Sequence, residues 1–252
     1  MNGIEKAERF AALHVKGTPI RLYNAWDAGS AKAIVAAGAK AVATSSWAVA
    51  DAQGFRDGED IPVDFVERIV GRVATAVDVP VTVDFEGGYT DDDGTLSANV
   101  TRLLDLGIVG INFEDRIVKG DGLHDKVRQA RRISLIRHAA EVHGVNLFIN
   151  ARTDLFLGRE WDPVRSIDEA IERAAAYAAA GASGFFIPGL TDETLIGRIC
   201  EAVSIPVNVM MMEGVPPVER LARIGVARLS YGAGPYAQAM ATLGQEARTV
   251  LA

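Results

Sequence analysis

Short apolar segments alternate with longer amphipathic segments along almost the whole chain. The apolar segments are nearly continuous in Val, Ile, Phe and Ala, which is typical of strands buried on both faces of a parallel sheet. The pattern predicts eight strands, at Ile20–Tyr23, Ala41–Thr44, Val81–Asp84, Gly110–Phe113, Leu147–Asn150, Gly184–Ile187, Val207–Met210 and Ala227–Ser230.

The amphipathic segments have helical periodicity, and several end at a glycine suited to a left-handed helix terminus. After a first helix near Glu5–His14, helices are predicted at Ser30–Ala37, Asp64–Val77, Leu96–Leu106, Lys126–His143, Ser166–Ala180, Asp192–Ala202, Pro217–Ile224 and Tyr236–Leu251. Eight right-handed strand–helix units close into a (β/α)₈ barrel of the TIM type. A doubly wound open sheet is the alternative, but it predicts a glycine-rich phosphate loop where the chain has Asn24–Asp27.

Composition narrows the class of protein. The chain has 252 residues, a net charge of −7 with scattered basic residues, and one cysteine, Cys200. We expect residues 1–252 to form a single α/β-barrel catalytic domain with no nucleic-acid partner. The charged N-terminal segment and the lack of a long apolar run predict neither a signal peptide nor a membrane helix. These features favour a cytoplasmic protein.

Polar side chains gather where four neighbouring strands end. The predicted strands run into Thr44–Trp47, Asp84–Tyr89, Asn112–Arg116 and Asn150–Asp154. The active site of such a barrel lies at the carboxyl ends of its strands, so these side chains are expected on one rim. Closely spaced carboxylates favour a bound cation, and a donor set of oxygens alone favours Mg²⁺ first and Mn²⁺ second.

Arg152 suits a substrate carboxylate or phosphonate, which a guanidinium can bind through two parallel hydrogen bonds. Each residue also has a plainer interpretation. Asp84 could cap a turn, Glu114–Arg116 could be a solvated charge run, and Arg152 could form a structural salt bridge with Asp154 or Glu114. The coincidence of these residues on adjacent strands favours a functional site.

At these residues the sequence resembles the isocitrate lyase/phosphoenolpyruvate mutase superfamily, most of all its compact phosphonomutase-like branch. The resemblance extends over nearly the whole chain, through Asn24–Ala28, Ala43–Ser46, Gly54–Glu59, Val83–Tyr89, Gly110–Asp115, Asn150–Asp154, Phe186–Leu190 and Gly225–Ser230. It implies an α/β barrel that acts on α-oxo acids with Mg²⁺ and forms a homo-oligomer, a tetramer or a dimer.

The resemblance also implies roles for single residues. Asp84 corresponds to the direct metal ligand, and Asp57, Glu86 and Glu114 correspond to acids that hold the metal through water. The expected substrate-binding residues are Ser45, Ser46, Trp47, Arg152 and Asn208. Asp57 enters only through the resemblance, because its loop reads as an exposed turn.

The loop after the fourth strand departs from the family pattern. The lyases carry a catalytic cysteine there, whereas Ile117–Lys126 contains none. The phosphonate-processing pattern is only partly matched by Asp115–Lys119. His124 and Lys119 are the available proton donors or anion contacts, and we predict that Lys119–Lys126 closes over the substrate. A surface-loop histidine is the plainer interpretation of His124.

Three functions follow from these observations. The first is a metal-dependent lyase that cleaves a carbon–carbon bond of an α-oxo acid, or of a 2-hydroxy di- or tricarboxylic acid, through a metal-stabilised pyruvate enolate. In this reading Asp84, Glu114, Arg152, His124 and Lys119 are the catalytic candidates. The second is a C–P bond enzyme, a phosphonopyruvate hydrolase or phosphonomutase. The third is a non-catalytic regulator that binds an oxo acid and a metal.

Overall fold

A computed structural model describes residues 2–157 and 162–252. Its strands are β1 (Ile20–Leu22), β2 (Asn24–Ala25), β3 (Val42–Thr44), β4 (Val81–Asp84), β5 (Gly110–Glu114), β6 (Phe148–Arg152), β7 (Gly184–Phe186), β8 (Val207–Met210) and β9 (Arg228–Ser230). All neighbouring pairs are parallel, in the order β1-β9-β8-β7-β6-β5-β4-β3-β2. Only Tyr23 separates β1 from β2, the two ends of this order, so the sheet returns on itself. The predicted TIM-like barrel is confirmed.

The helices lie where the amphipathic pattern predicts them, with one addition. They are α1 (Gly3–Ala12), α2 (Ala28–Ala36), α3 (Ser46–Ala52), α4 (Val63–Ala76), α5 (Asp93–Asp105), α6 (Lys126–His143), α7 (Pro163–Ala179), α8 (Glu193–Ala202), α9 (Val218–Arg223) and α10 (Gly234–Leu251). The sequence did not predict α3, because seven residues give too little periodicity to recognise. No helix in the described part of the chain is long and apolar enough to cross a membrane.

Two strand predictions stop short of the observed ends. We predicted strands at Gly110–Phe113 and Leu147–Asn150, whereas β5 includes Glu114 and β6 extends to Arg152. The two side chains therefore belong to paired strands, in register with each other. Their placement is fixed by the sheet instead of by a loop.

The two faces of the strands bury different kinds of side chain. Residues such as Val83, Ile111 and Val209 belong to the main apolar core, which also contains residues of the surrounding helices. The alternate residues include Thr82, Asn112 and Asn150 and line the interior of the barrel. The main core thus lies between sheet and helices, while the barrel interior carries polar groups at its centre.

The amino end of the barrel interior, here called the floor, is closed by α1. The floor consists of Phe10, His14, Thr82, Gly110 and Phe148. Phe10 packs edge-on against Phe148, with ring centroids 5.4 Å apart. A Cβ at Gly110 would lie 2.7 Å from Phe10 Cε1 and 2.8 Å from Thr82 Oγ1. Only glycine leaves room for α1 to seat its aromatic ring there.

Candidate active site and metal centre

Asp84 lies at the end of β4 and is held on both carboxylate oxygens. Its Oδ2 accepts from Ser46 N at 3.1 Å and can accept from Ser46 Oγ at 3.0 Å. Its Oδ1 accepts from Asn112 Nδ2 at 3.2 Å. Its backbone N–H donates to Thr44 Oγ1 at 3.0 Å. Neighbours on β3, α3 and β5 therefore fix the carboxylate in one orientation.

Three further carboxylates converge on Asp84, and together with it they form what we call the metal rim: Asp57, Asp84, Glu86 and Glu114. Asp57 Oδ1 lies 3.2 Å from Ser46 Oγ, so one hydroxyl faces two acids. Burial raises the pKa of Asp57, and the nearby charge of Asp84 raises it further. Ser46, at the start of α3, thus links Asp84 to Asp57, a residue of the loop after this helix that the sequence alone did not single out.

Glu86 is buried among other acids. Burial, followed by the charges of Asp57 and Asp84, raises its pKa to about 8. Its Oε2 accepts from Glu59 N at 3.0 Å and its Oε1 from Tyr89 Oη at 3.0 Å. Tyr89 N in turn donates to Glu59 Oε1 at 2.7 Å.

Glu59, Glu86 and Tyr89 are also the non-glycine residues with left-handed backbone in the described part of the chain, with φ of 58°, 47° and 62°. Such conformations cost of order 1–3 kcal/mol each and persist where the surroundings hold them. All three belong to one hydrogen-bonded network beside Asp84. The strained backbone is therefore concentrated at the metal rim.

Glu114 and Arg152 face each other on β5 and β6. Arg152 Nη1 lies 2.9 Å from Glu114 Oε2, and its Nε and Nη2 donate to the two oxygens of Asp154 at 2.6 and 3.0 Å. Burial raises the pKa of Glu114, and Arg152 offsets part of that shift. Burial lowers the pKa of Arg152, but the charges of Glu114 and Asp154 more than reverse this. Arg152 therefore stays charged.

The salt bridges expected for Arg152 are present, yet they do not occupy all of its N–H groups. A guanidinium has five N–H donors. The three contacts above use three of them, which leaves two without a partner in the described structure. Arg152 can hold the two acids and still bind a substrate carboxylate.

The solvated-charge interpretation of Glu114–Arg116 is wrong for its first two residues. Glu114 is 4% exposed and Asp115 is fully buried. Asp115 Oδ2 pairs with Arg173 Nη1 at 3.1 Å and accepts from Tyr177 Oη at 2.9 Å. Its backbone oxygen accepts from His124 N at 2.8 Å. Asp115 anchors the loop after β5 to α7, while Arg116 is exposed.

Three of the expected substrate-binding residues lie after β3, in α3 and in β8. Ser45 caps α3, with its Oγ accepting from Ala48 N at 3.5 Å. Trp47 is 41% exposed and packs edge-on against Tyr236 of α10 at 5.9 Å, so its indole lies toward the C-terminal helix. Asn208 is buried in the barrel interior and donates to Ser230 Oγ at 3.1 Å.

His124 and Lys119 line a cavity of about 170 Å³ beside the metal rim. Its other described lining residues are Glu59, Gly87, Tyr89, Thr90, Asp91, Arg116, Val118 and Arg132, and they do not include Asp84, Glu114 or Arg152. Burial lowers the pKa of His124, followed by the charge of Arg132. The structure thus groups the two loop residues with one another, outside the cluster around Asp84.

Cys200 does not replace the cysteine that the loop lacks. It lies in α8, 4% exposed, in the main apolar core. Burial raises the pKa of its thiol to about 12. The side chain packs as a small buried hydrophobe.

The donor set of the rim fits a hard divalent cation. Its oxygens come from Asp57, Asp84, Glu86 and Glu114, whose mutual repulsion a cation would relieve. No three acidic, histidine or cysteine side chains in the described residues form a ready coordination cluster. Mg²⁺ typically takes one or two direct carboxylates and keeps several waters, so such a cluster is not required.

Fold and site together define an α/β-barrel protein with acidic side chains gathered at the carboxyl ends of its strands. Residues 10–251 match the family profile described as phosphoenolpyruvate phosphomutase. The chain belongs to the phosphoenolpyruvate mutase/isocitrate lyase superfamily. This superfamily comprises lyases and mutases, is commonly Mg²⁺-dependent and acts on small oxo acids.

Individual relatives do not fix the reaction. A Burkholderia cenocepacia protein with a provisional phosphonomutase assignment is 43% identical, with a TM-score of 0.94 over 97% of this chain and 99% of that one. An uncharacterized Mycobacterium tuberculosis protein is 32% identical over 241 residues, 96% of this chain and 88% of the relative. Phosphoenolpyruvate phosphomutase of Streptomyces hygroscopicus is 31% identical over 183 residues, 69% of this chain and 56% of the relative.

Proposed function

We propose that the protein is a Mg²⁺-dependent carbon–carbon lyase that cleaves the bond at C3 of a small 2-oxo acid or of a related 2-hydroxy di- or tricarboxylic acid. The observation that carries the proposal is the convergence of the metal rim with a charged Arg152 on neighbouring strands. In this proposal Asp84 holds Mg²⁺ directly, and Asp57, Glu86 and Glu114 hold it through water. The bound ion supplies Lewis-acid stabilisation of the charge that develops on the oxo oxygen.

The chain's own residues orient the substrate. Arg152 binds the C1 carboxylate with the two N–H groups that Glu114 and Asp154 leave open. Ser46, whose hydroxyl lies between Asp57 and Asp84, contacts the oxo end. The substrate is thereby held with C3 directed away from Arg152.

Release of carbon dioxide is the simplest form of this reaction, because it fits a loop without the cysteine acid. When the C3–C4 bond of a 2-oxo acid whose C4 is a carboxylate breaks, the electron pair stays on the pyruvate part and carbon dioxide leaves without a proton. The resulting enolate then takes one proton at C3, which solvent can supply. His124 and Lys119 remain candidates for contacts with the leaving carboxylate.

A C–P bond enzyme is the second candidate, and the cavity beside the rim favours it. Three cationic side chains line that cavity, those of Arg116, Lys119 and Arg132. Gly87, which follows Glu86 of the metal rim, lines it as well. Such a set suits a phosphonate dianion. The matching family profile is that of a phosphomutase, which supports the same reading.

A substrate screen separates these proposals. Turnover of oxaloacetate and of phosphonopyruvate is measured with Mg²⁺ and with EDTA, subtracting the protein-free rate in the same Mg²⁺. Mg²⁺-dependent pyruvate release from oxaloacetate supports the lyase, and turnover of phosphonopyruvate alone supports the C–P enzyme. Tight binding of Mg²⁺ and oxalate with no turnover would instead indicate the non-catalytic regulator.

A further inference from the structure

Arg228 crosses the barrel interior below the metal rim. Arg228 belongs to β9, which lies on the opposite side of the barrel from β5. The strands between them are β8, β7 and β6 in one direction, and β1, β2, β3 and β4 in the other. Its Nη2 nevertheless donates to Asn112 Oδ1 at 3.0 Å. Arg228 is 1% exposed, and its Nη1 has no partner in the described structure.

Burying a guanidinium in this way costs free energy of folding. Burial lowers its pKa to about 9, and the charge of Asp84 opposes this shift. Removing a charge from water without a close counter-ion costs several kcal/mol, as an order of magnitude. Packing alone therefore does not explain why a charged side chain is buried at this position. Its hydrogen bond to Asn112 suggests a reason.

Asn112 stands between a group that can only donate and a group that only accepts. Arg228 has no acceptor, and an ionised Asp84 carboxylate has no donor. The amide satisfies both in one orientation, with Oδ1 toward Arg228 and Nδ2 toward Asp84 Oδ1 at 3.2 Å. The inverted amide would direct an oxygen at the carboxylate and an N–H at the guanidinium.

Asn150 cannot select this orientation alone. Its Nδ2 donates to Asn112 Oδ1 at 2.9 Å, but its own Oδ1 is buried without a partner in the described structure. If both amides inverted, Asn112 could donate to Asn150 Oδ1 and their mutual hydrogen bond would survive. Besides Asp84 itself, Arg228 is thus the neighbour that favours the observed arrangement, and it does so from the opposite side of the amide.

We infer that Arg228 is a positioning residue for Asp84, acting across the barrel through the side-chain amide of Asn112. Ser46 N and Oγ both reach Oδ2, whereas Asn112 is the one residue in the described part of the chain that hydrogen-bonds to Oδ1. Each carboxylate oxygen has about two acceptor sites, so Oδ1 keeps one for a cation. The inference rests on the proposed role of Asp84 as the metal ligand.

Mg²⁺ titration by calorimetry on a double-mutant cycle tests this inference. We expect Arg228→Met to weaken Mg²⁺ binding about tenfold, as losses of outer partners of metal ligands do. Loss of a positive charge alone would instead tighten Mg²⁺ binding. In an Asn112→Ala background, Arg228→Met should cause no further weakening, since its effect passes through the amide.

Three results would overturn the inference: unchanged Mg²⁺ affinity with a lowered melting temperature, tighter Mg²⁺ binding, or effects of Arg228→Met and Asn112→Ala that add. If Arg228→Met does not fold, Arg228→Leu takes its place in the cycle. Arg228→Lys keeps a group that can only donate, so wild-type Mg²⁺ affinity in this variant should come with protected Asn112 side-chain protons, and wild-type affinity without that protection would also count against the inference.

A metal-free readout keeps this test separate from that of the proposed function. In amide NMR spectra, the Asn112 side-chain protons should be protected from exchange in wild type and lose that protection in Arg228→Met. Unchanged Asn112 signals would overturn the inference even if Mg²⁺ binds. Wild-type protein that binds no Mg²⁺ but shows the expected NMR change would overturn the metal assignment and leave the amide contact standing.

Discussion

The two ends of the barrel interior bury different kinds of polar group. At the metal rim, Asp57, Glu86 and Glu114 lie close enough to raise one another's pKa or to share Arg152. At the floor, the buried titratable group is His14, stacked on Phe148 with ring centroids 3.9 Å apart. The rim concentrates like charges, whereas the floor holds a neutral ring among aromatic neighbours.

This difference supports the rim as the end at which the proposed reaction takes place. Mutual repulsion and left-handed backbone at the rim lower stability unless a ligand compensates, as expected of a functional site. The floor has tight aromatic packing and no comparable cluster among its described residues. Substitutions at the rim should therefore change binding more than stability, and substitutions at the floor should do the reverse.

The largest effect is expected from Asp84→Asn. The substitution preserves shape but removes the charge that the proposed site gives to Mg²⁺, so Mg²⁺ affinity and metal-dependent turnover should each fall by about 100-fold or more. Calorimetry and the oxaloacetate assay measure these losses. Asp64→Asn, at an exposed carboxylate paired with Arg68 on α4, is the matched control and should behave as wild type. Retained Mg²⁺ response in Asp84→Asn would remove this residue from the metal site.

The next effect is a pH dependence of Mg²⁺ binding. Because the pKa of metal-free Glu86 is about 8, this side chain must lose a proton when a cation is bound nearby. Apparent Mg²⁺ affinity should rise by about 15-fold between pH 6.5 and pH 8 and should level off above that pH. Proton release, measured by titration in buffers of different ionisation enthalpy, should accompany binding. Glu86→Gln should flatten the curve, and an equally steep curve in that variant would assign the proton to another group.

A smaller effect, about tenfold, is expected in the KM of Arg152→Lys. A lysine keeps the charge but cannot serve Glu114, Asp154 and a substrate carboxylate with one planar fork. Arg68→Lys, in an exposed salt bridge, provides the control for loss of a guanidinium. A lowered melting temperature with unchanged KM would mean that Arg152 serves only as a structural salt bridge.

The sequence predicted the barrel and three of the four rim residues for the same reason. Buried parallel strands are apolar runs, so polar residues at their ends, such as Asp84, stand out without any structure. Asn112 and Asn150 gave a similar signal, since each is an amide within an otherwise apolar strand, but we read them only as strand ends. Both proved to be central to the interior hydrogen bonds.

Other features depend on geometry that local sequence does not carry. Glu59 reaches Glu86 because its backbone is left-handed, and a glutamate gives no warning of that conformation. The contact of Arg228 with Asn112 joins residues 116 positions apart. Asp57 is brought to the rim by α3, which was not predicted. These contacts are set by tertiary packing, so family resemblance or a structure is needed to find them.

The smallest effect, on stability alone, tests the floor. Burial and then the charge of Arg228 lower the pKa of His14 to about 3, while Nδ1 contacts Phe10 O at 2.8 Å. The folded state therefore keeps His14 neutral when the unfolded chain binds a proton near its model value of 6.5. The contribution of His14 to stability is fully present above that pH and is lost as pH falls below it, by about 1 kcal/mol between pH 7.5 and 5.5.

Urea unfolding at the two pH values should show this loss in wild type and in His138→Gln, an exposed control, but not in His14→Gln. Because His14 lies at the floor, His14→Gln should leave Mg²⁺ affinity unchanged, and a weakened affinity would show that the two ends of the barrel are coupled through Arg228.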